Sequence, residues 1–110
     1  MSYQHKELAA GRWQEMPLAL QMANIGSEVE RALNWRAKNN AAYSLKAAER
    51  ALELMDLTLD SVKGLPKLKE VARVREALVD YFFGENEYGF TDEALRRYFF
   101  NFTYLSRRHL

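Results

Sequence analysis

Ala41-Ala42-Tyr43-Ser44-Leu45-Lys46-Ala47-Ala48-Glu49-Arg50-Ala51-Leu52-Glu53-Leu54-Met55-Asp56-Leu57-Thr58-Leu59-Asp60-Ser61-Val62 places apolar residues at Ala41, Leu45, Ala48, Leu52, Met55, Leu59 and Val62. The steps alternate between four and three, a seven-residue repeat held over three heptads. That is the spacing of one face of an α-helix. Ala51, Leu54 and Thr58 widen the stripe beyond the seam of a two-stranded coil, so the helix is expected in the core of a bundle. Its alanines allow a close neighbour.

The chain on either side follows the same grammar. Asn39-Asn40 stops one helix and can cap the next. Before it, Leu18, Met22, Ile25, Val29, Ala32/Leu33 and Arg36 form a stripe that predicts a helix over residues 17–38, with Pro17 at its first position. Gly26 sits in the middle, where glycine costs ~1 kcal/mol against alanine. A close helix crossing or a ligand is the usual reason. After the central stretch, Lys63-Gly64 is expected to end its helix with a left-handed cap, and Pro66 to open a third. Leu68, Val71, Ala72, Val74, Leu78, Val79, Phe82 and Phe83 give that helix its apolar face. Arg75 falls inside the stripe, so it is either paired or buries its stem. Gly84 ends the third helix. Residues 85–90 make an acidic turn, and Thr91 caps a fourth helix that ends in Arg107-Arg108-His109. Short connections between four helices predict an all-α, antiparallel up-down four-helix bundle over residues 16–110. Residues 1–15 are weakly patterned and read as an N-terminal arm. Its Tyr3, Leu8 and Trp13 either dock on the body or stay mobile.

Composition bounds the function. A chain of 110 residues with formal charge +1 makes one domain and argues against bulk nucleic acid or an anionic membrane as the dominant partner. There is no cysteine, which excludes thiolate chemistry, disulfides and Cys-based metal sites. The N-terminus has no apolar signal region, and no 18-residue apolar run occurs, so a cytoplasmic location is expected. No cofactor is implied.

Four constellations could carry chemistry. Asn24, Ser27, Glu28 and Arg31, with Trp35, recur at helical spacing on the first helix. They suit a polar site, or a solvated face with Glu28 paired to Arg31. Glu49, Glu53, Asp56 and Asp60 on the second helix, with Glu76 and Asp80 on the third, could ligate a divalent cation; the alternative is a charged outer face neutralised by Lys46, Arg50, Arg73 and Arg75. His5 and His109 both lie near chain ends, where the preorganisation that catalysis needs is lacking, so no catalytic residue is expected. Arg96, Arg97, Arg107 and Arg108 interleave with Tyr98, Phe100 and Tyr104. Arg97, Tyr104 and Arg108 are the candidates for gripping single-stranded RNA. The competing reading is dipole compensation plus a protein interface.

Ten of the fourteen aromatics lie between Tyr81 and Tyr104. On the fourth helix Tyr98, Phe99, Phe100, Phe102 and Tyr104 occupy more than one face. One helix cannot hide them all in its own bundle, which predicts a homodimer through this set or a protein partner on it.

Two resemblances bear on these readings. Glu53-Leu54-Met55-Asp56 resembles the second half of the metal motif of all-α NTP pyrophosphatases, which implies Glu49, Glu53, Asp56, Glu76 and Asp80 as the cation set of a nucleotide hydrolase. The first half, a doubled Glu followed a turn later by another, is not matched; the first helix offers only Glu28 and Glu30. Ala42-Tyr43-Ser44-Leu45-Lys46-Ala47-Ala48-Glu49-Arg50-Ala51-Leu52-Glu53-Leu54 resembles the second helix of HEPN-type bundles. Those are small prokaryotic four- or five-helix proteins, generally dimeric, often partners of minimal nucleotidyltransferases and in some cases ribonucleases. Asn24-Ile25-Gly26-Ser27-Glu28-Val29 and Asp80-Tyr81-Phe82-Phe83-Gly84 fit that bundle shape. The ribonuclease members carry an Arg followed four to six residues later by His; neither histidine here has such an Arg before it. The resemblance therefore implies a binding member without nuclease chemistry. The expected function is a non-catalytic homodimeric binding module, with a metal-dependent nucleotide hydrolase and an RNA-binding protein as alternatives.

Overall fold

A computed structural model describes residues 11–108. They form an all-α four-helix bundle: α1 (Leu18–Ala37), α2 (Ala41–Ser61), α3 (Leu65–Phe83) and α4 (Asp92–Arg108), preceded by a 3-10 turn at Trp13–Glu15. The boundaries come from local chemistry. Pro17 takes the N-cap of α1 rather than its first helical position, with ψ at 148°, and its carbonyl accepts from Gln21 N at 3.0 Å. Asn39 turns the chain with φ at 61°, and the Asn40 side chain accepts from Tyr43 N at 3.0 Å, so the first asparagine breaks one helix and the second caps the next. Thr91 Oγ1 accepts from Ala94 N at 3.1 Å at the start of α4. Gly64 differs from the expected left-handed cap. Its φ of 94° serves as the N-cap of α3, while α2 ends at Ser61 with extended Val62 after it.

The register of α2 also differs. Its buried residues are Ser44, Ala47, Ala48, Ala51, Glu53, Leu54, Met55, Leu57 and Thr58, whereas Ala41 and Leu45 are exposed and Leu52 and Leu59 only partly covered. Small residues win the inner face because α1 comes close. Ala32, Ala47 and Ala48 pack as one cluster, and Ser44 Oγ donates to Ala32 O at 2.8 Å. Ala32–Ser44, Glu28–Arg50 and Gln21–Ser61 descend α1 as they climb α2.

α1 is the central helix. It packs on α2 along one side and α4 along another, while α3 packs on α2. Met22, Ile25, Val29 and Leu33 of α1 meet Leu54 and Met55 of α2, Val71 and Leu78 of α3, and Leu95 and Phe99 of α4 in one core. Each large side chain fully buried there contributes roughly 1.5–3 kcal/mol of apolar transfer. Trp13 joins this core at 1 % exposure. Its Nε1 donates to Thr58 Oγ1 at 2.9 Å, Thr58 in turn donates to Leu54 O, and Gln21 Nε2 donates to Trp13 O at 2.7 Å. Every polar atom named in that buried chain has a partner, which avoids the cost of an unpaired buried donor. Tyr3, Leu8, His5 and His109 lie outside the described residues.

Residues 84–91 are a built connection between α3 and α4. The Asp80 carboxylate accepts from Glu87 N at 2.8 Å and Tyr88 N at 3.1 Å, and Asp80 O accepts from Asn86 N. Asn86, at φ 55°, grips Phe90 twice: Nδ2 donates to Phe90 O at 2.9 Å, and Phe90 N donates to Oδ1 at 3.0 Å. Tyr81 OH of α3 donates to Asp92 of α4, and the Arg36 guanidinium lies 5.0 Å from the Tyr81 ring centroid. Among the described residues no helix is long and apolar enough to cross a membrane.

Candidate functional site

An open concavity between α1 and α4 begins at Gly26. A Cβ built on this glycine would sit 2.7 Å from Phe99 Cβ, so glycine is what lets α4 approach α1. Of the two explanations for a mid-helix glycine, the close crossing is the one found. Beside the crossing lies an open groove of ≈ 710 Å³. Gly26, Ser27, Glu30, Arg31 and Asn34 of α1 line one wall, and Arg96, Arg97, Phe100 and Thr103 of α4 the other, over a floor of Val29, Leu95 and Phe99.

The groove gathers parts of three sequence constellations. Ser27 and Arg31 of the polar stripe reach it, but Asn24 does not: its amide donates back to Leu20 O at 3.0 Å. Glu28 is buried and held by two cations, Arg31 at 3.1 Å and Arg50 at 3.1 Å. That pairing makes Glu28 a link between α1 and α2 and consumes its charge. Across the groove Arg96 Nε meets both Glu30 oxygens, at 3.1 and 2.8 Å, which ties α4 to α1. Arg97 has no ion-pair partner among the described residues.

The five aromatics of α4 divide. Phe99 is core at 4 % exposure, and Tyr98 and Phe102 pack against the core as partly buried neighbours. Expecting all five on an interface overlooked α1 and α3, which cover three of them. Phe100 remains 65 % exposed and Tyr104 55 % exposed, one helical turn apart, with Leu105 exposed beside them. Arg97 and Arg108 extend the same outer strip, and the Arg108 guanidinium lies 5.8 Å from the Tyr104 ring. All three RNA candidates therefore share one exposed face.

The acids proposed for a cation stay apart in their bonding. Asp56 is paired with Arg75 at 2.6 Å, which answers how Arg75 sits within an apolar stripe. Asp80 is occupied by the backbone of residues 87 and 88, and Glu76 accepts from Tyr88 OH at 3.3 Å. Glu49 is exposed and Glu53 buried on α2. Among the described residues no three His, Cys, Asp or Glu side chains come together in a way that could hold a metal ion.

The phenols record their surroundings. Tyr98 is raised above the ordinary tyrosine value, first by burial and then by its hydrogen bond to Glu70 at 2.9 Å. Tyr81 is raised to about 12, again by burial first and then by the bond to Asp92. Both hold their protons more firmly than free tyrosine, which suits anchoring and not proton transfer near neutral pH.

Sequence reasoning missed Glu30, Asn34 and Thr103 as groove residues. Their only sequence signal is position, since 27, 30, 31 and 34 lie along one side of α1. No family model matches the chain, and neither the curated proteins nor the solved structures give a match.

Proposed function

We propose that this chain is a non-catalytic, self-associating helical module whose binding surface is the outer strip of α4 and the adjoining α1–α4 groove. The observation that carries this reading is the pair Phe100 and Tyr104, large aromatics a turn apart at 65 % and 55 % exposure. Aromatics and arginine are the residues that interfaces concentrate, and here they stand together with Arg97 and Arg108. The generally dimeric habit of the HEPN-type bundles that Ala42–Leu54 resembles agrees with a homodimer. Sedimentation of the chain at tens of micromolar tests it. A dimer that Phe100→Ser with Tyr104→Ser converts to a folded monomer is expected; a strict monomer overturns the reading.

The same strip supports a second reading, binding of single-stranded RNA by Arg97, Tyr104 and Arg108. The Arg108–Tyr104 stack favours it, and the near-neutral net charge weighs against it. It requires an affinity that falls steeply with salt. Absence of binding to a labelled single strand at low salt removes it.

A further inference from the structure

Across α4 from the groove lies a second, smaller cleft of ≈ 270 Å³, enclosed by α3, the 84–91 connection and α4. Its apolar walls are Val74, Ala77 and Leu95, and three aromatic residues, Tyr88, Phe90 and Tyr98, complete them. Both tyrosine hydroxyls are already taken, Tyr98 donating to Glu70 at 2.9 Å and Tyr88 to Glu76 at 3.3 Å. What remains for an occupant is the aromatic rings. Arg73 and Glu76 line the cleft as well. Glu70 and Asp80 are bonded to its walls, and Lys69 lies beyond Glu70 and Arg73 on the adjoining surface, so acids outnumber cations at the walls themselves. The phenol of Tyr88 is raised above the ordinary tyrosine value first by the charge of Glu76, then by desolvation and the hydrogen bond to Glu76, with Asp80 and Glu87 adding to it.

We propose that this cleft is a binding site for a small organic cation whose charge is wrapped in carbon, a quaternary or alkylated ammonium group. An anion meets three carboxylates and is repelled. A metal ion or a bare ammonium needs convergent oxygens to replace its water, and the walls are carbon. A trimethylammonium group is weakly hydrated, presents methyls to Val74 and Leu95, and gains from the negative faces of aromatic rings, a contact that strengthens when desolvated. The volume suits a head group, since pockets for larger ligands run from ~300 to 1,000 Å³. The site is also preorganised. Asn86 clamps the backbone of Phe90, and Asp80 clamps the backbone of Tyr88, so the main chain that carries two of the three aromatics is held before anything binds.

The test compares choline, its uncharged isostere 3,3-dimethylbutan-1-ol and the anionic 3,3-dimethylbutanoate, each titrated while the methyl resonances of Val74 and Ala77, which line this cleft and not the α1–α4 groove, are followed by NMR. Choline is expected to bind most tightly, the alcohol more weakly and the carboxylate least. Tyr88→Leu, at a largely exposed position whose loss leaves the core intact, is expected to weaken choline by roughly five- to tenfold. Glu76→Gln should weaken choline while leaving the alcohol unchanged. Equal binding of choline and the alcohol, no shift at those methyls with choline in the tens of millimolar, or indifference to Tyr88→Leu each overturns the proposal. None of these outcomes depends on the α1–α4 surface or on the oligomeric state.

Discussion

Phe99 and Phe100 are neighbours in sequence and opposites in role. Phe99 is 4 % exposed, seated in the space left by Gly26; Phe100 is 65 % exposed and has only solvent or a partner to face. The inner side of α4 continues through Leu95 and Phe102, the outer through Arg97, Tyr104 and Arg108. The difference teaches that aromatic content says little by itself about binding. What decides is whether another element offers a place for the ring, and on α1 that place is a missing side chain.

The sharpest way to break the comparison is to truncate each ring in turn. Phe99→Ala should cost about 3–5 kcal/mol of unfolding free energy, the range for a buried aromatic. Phe100→Ala should change the stability of the monomer by no more than ~0.5 kcal/mol, as exposed positions do. Urea titrations followed by circular dichroism measure both. Similar losses at the two positions would mean that the outer ring is covered and the proposed surface is not free.

The same contrast of inner and outer face recurs on α2, and there it corrects a register. Leu54→Ala, at a residue 3 % exposed, should cost about 2–5 kcal/mol. Leu45→Ala, at a residue 37 % exposed, should cost less than ~1 kcal/mol. Equal losses would restore the heptad face through Leu45 and Leu52 at the expense of the one through Ala47, Ala51 and Leu54.

These two helices show what was legible beforehand. Pro17, Asn39-Asn40, Gly84 and Thr91 mark helix ends through backbone chemistry that acts within a few residues, so the four helices could be read, with Gly64 opening α3 where it was expected to close α2. The face of α2 could not. A pattern weighted by hydrophobicity follows Leu45, Leu52 and Leu59, while close approach to α1 selects Ser44, Ala47, Ala48 and Ala51 for their size. Gly26 was recognisable as a close-approach residue, but its neighbour on another helix was not, since the pair is separated by most of the chain. The groove and the smaller cleft are each assembled from segments distant in sequence, and no local spacing announces them. The acids illustrate the reverse case: regular spacing on α2 and α3 suggested a shared site, and folding gives Asp56 to Arg75 while Asp80 and Glu76 both hold Tyr88.

A smaller effect sharpens the role of the missing side chain. Gly26→Ala places a methyl 2.7 Å from Phe99 Cβ, an atom next to the backbone that cannot swing aside. Overpacking of this kind costs typically ~1–3 kcal/mol, offset by up to ~1 kcal/mol of better helix propensity. A net loss of about 1–2 kcal/mol is expected from these opposing contributions. A net gain in stability from Gly26→Ala alone would show that α4 yields easily and that the crossing does not define the groove.

The mildest perturbation is alkaline pH, and it addresses Tyr98, which stands between the two faces with its ring against the core and its hydroxyl on Glu70. Burial and that carboxylate both favour the protonated phenol in the folded chain, as they do for Tyr81 beside Asp92. A pKa raised by folding contributes stability that is complete below the unfolded value and declines as pH rises toward the folded one. For Tyr81 the decline runs from about pH 10 to about pH 12, whereas for Tyr98 it starts at the same point and continues further. Melting temperature measured across this range should therefore be steady up to about pH 9 and fall above pH 10. Tyr81→Phe should shallow the fall below pH 12, and Tyr98→Phe should shallow it throughout. A decline unchanged by either substitution would place both hydroxyls in water, and with Tyr98 released from Glu70 the division of α4 into a held side and an open side would reduce to Phe99 alone.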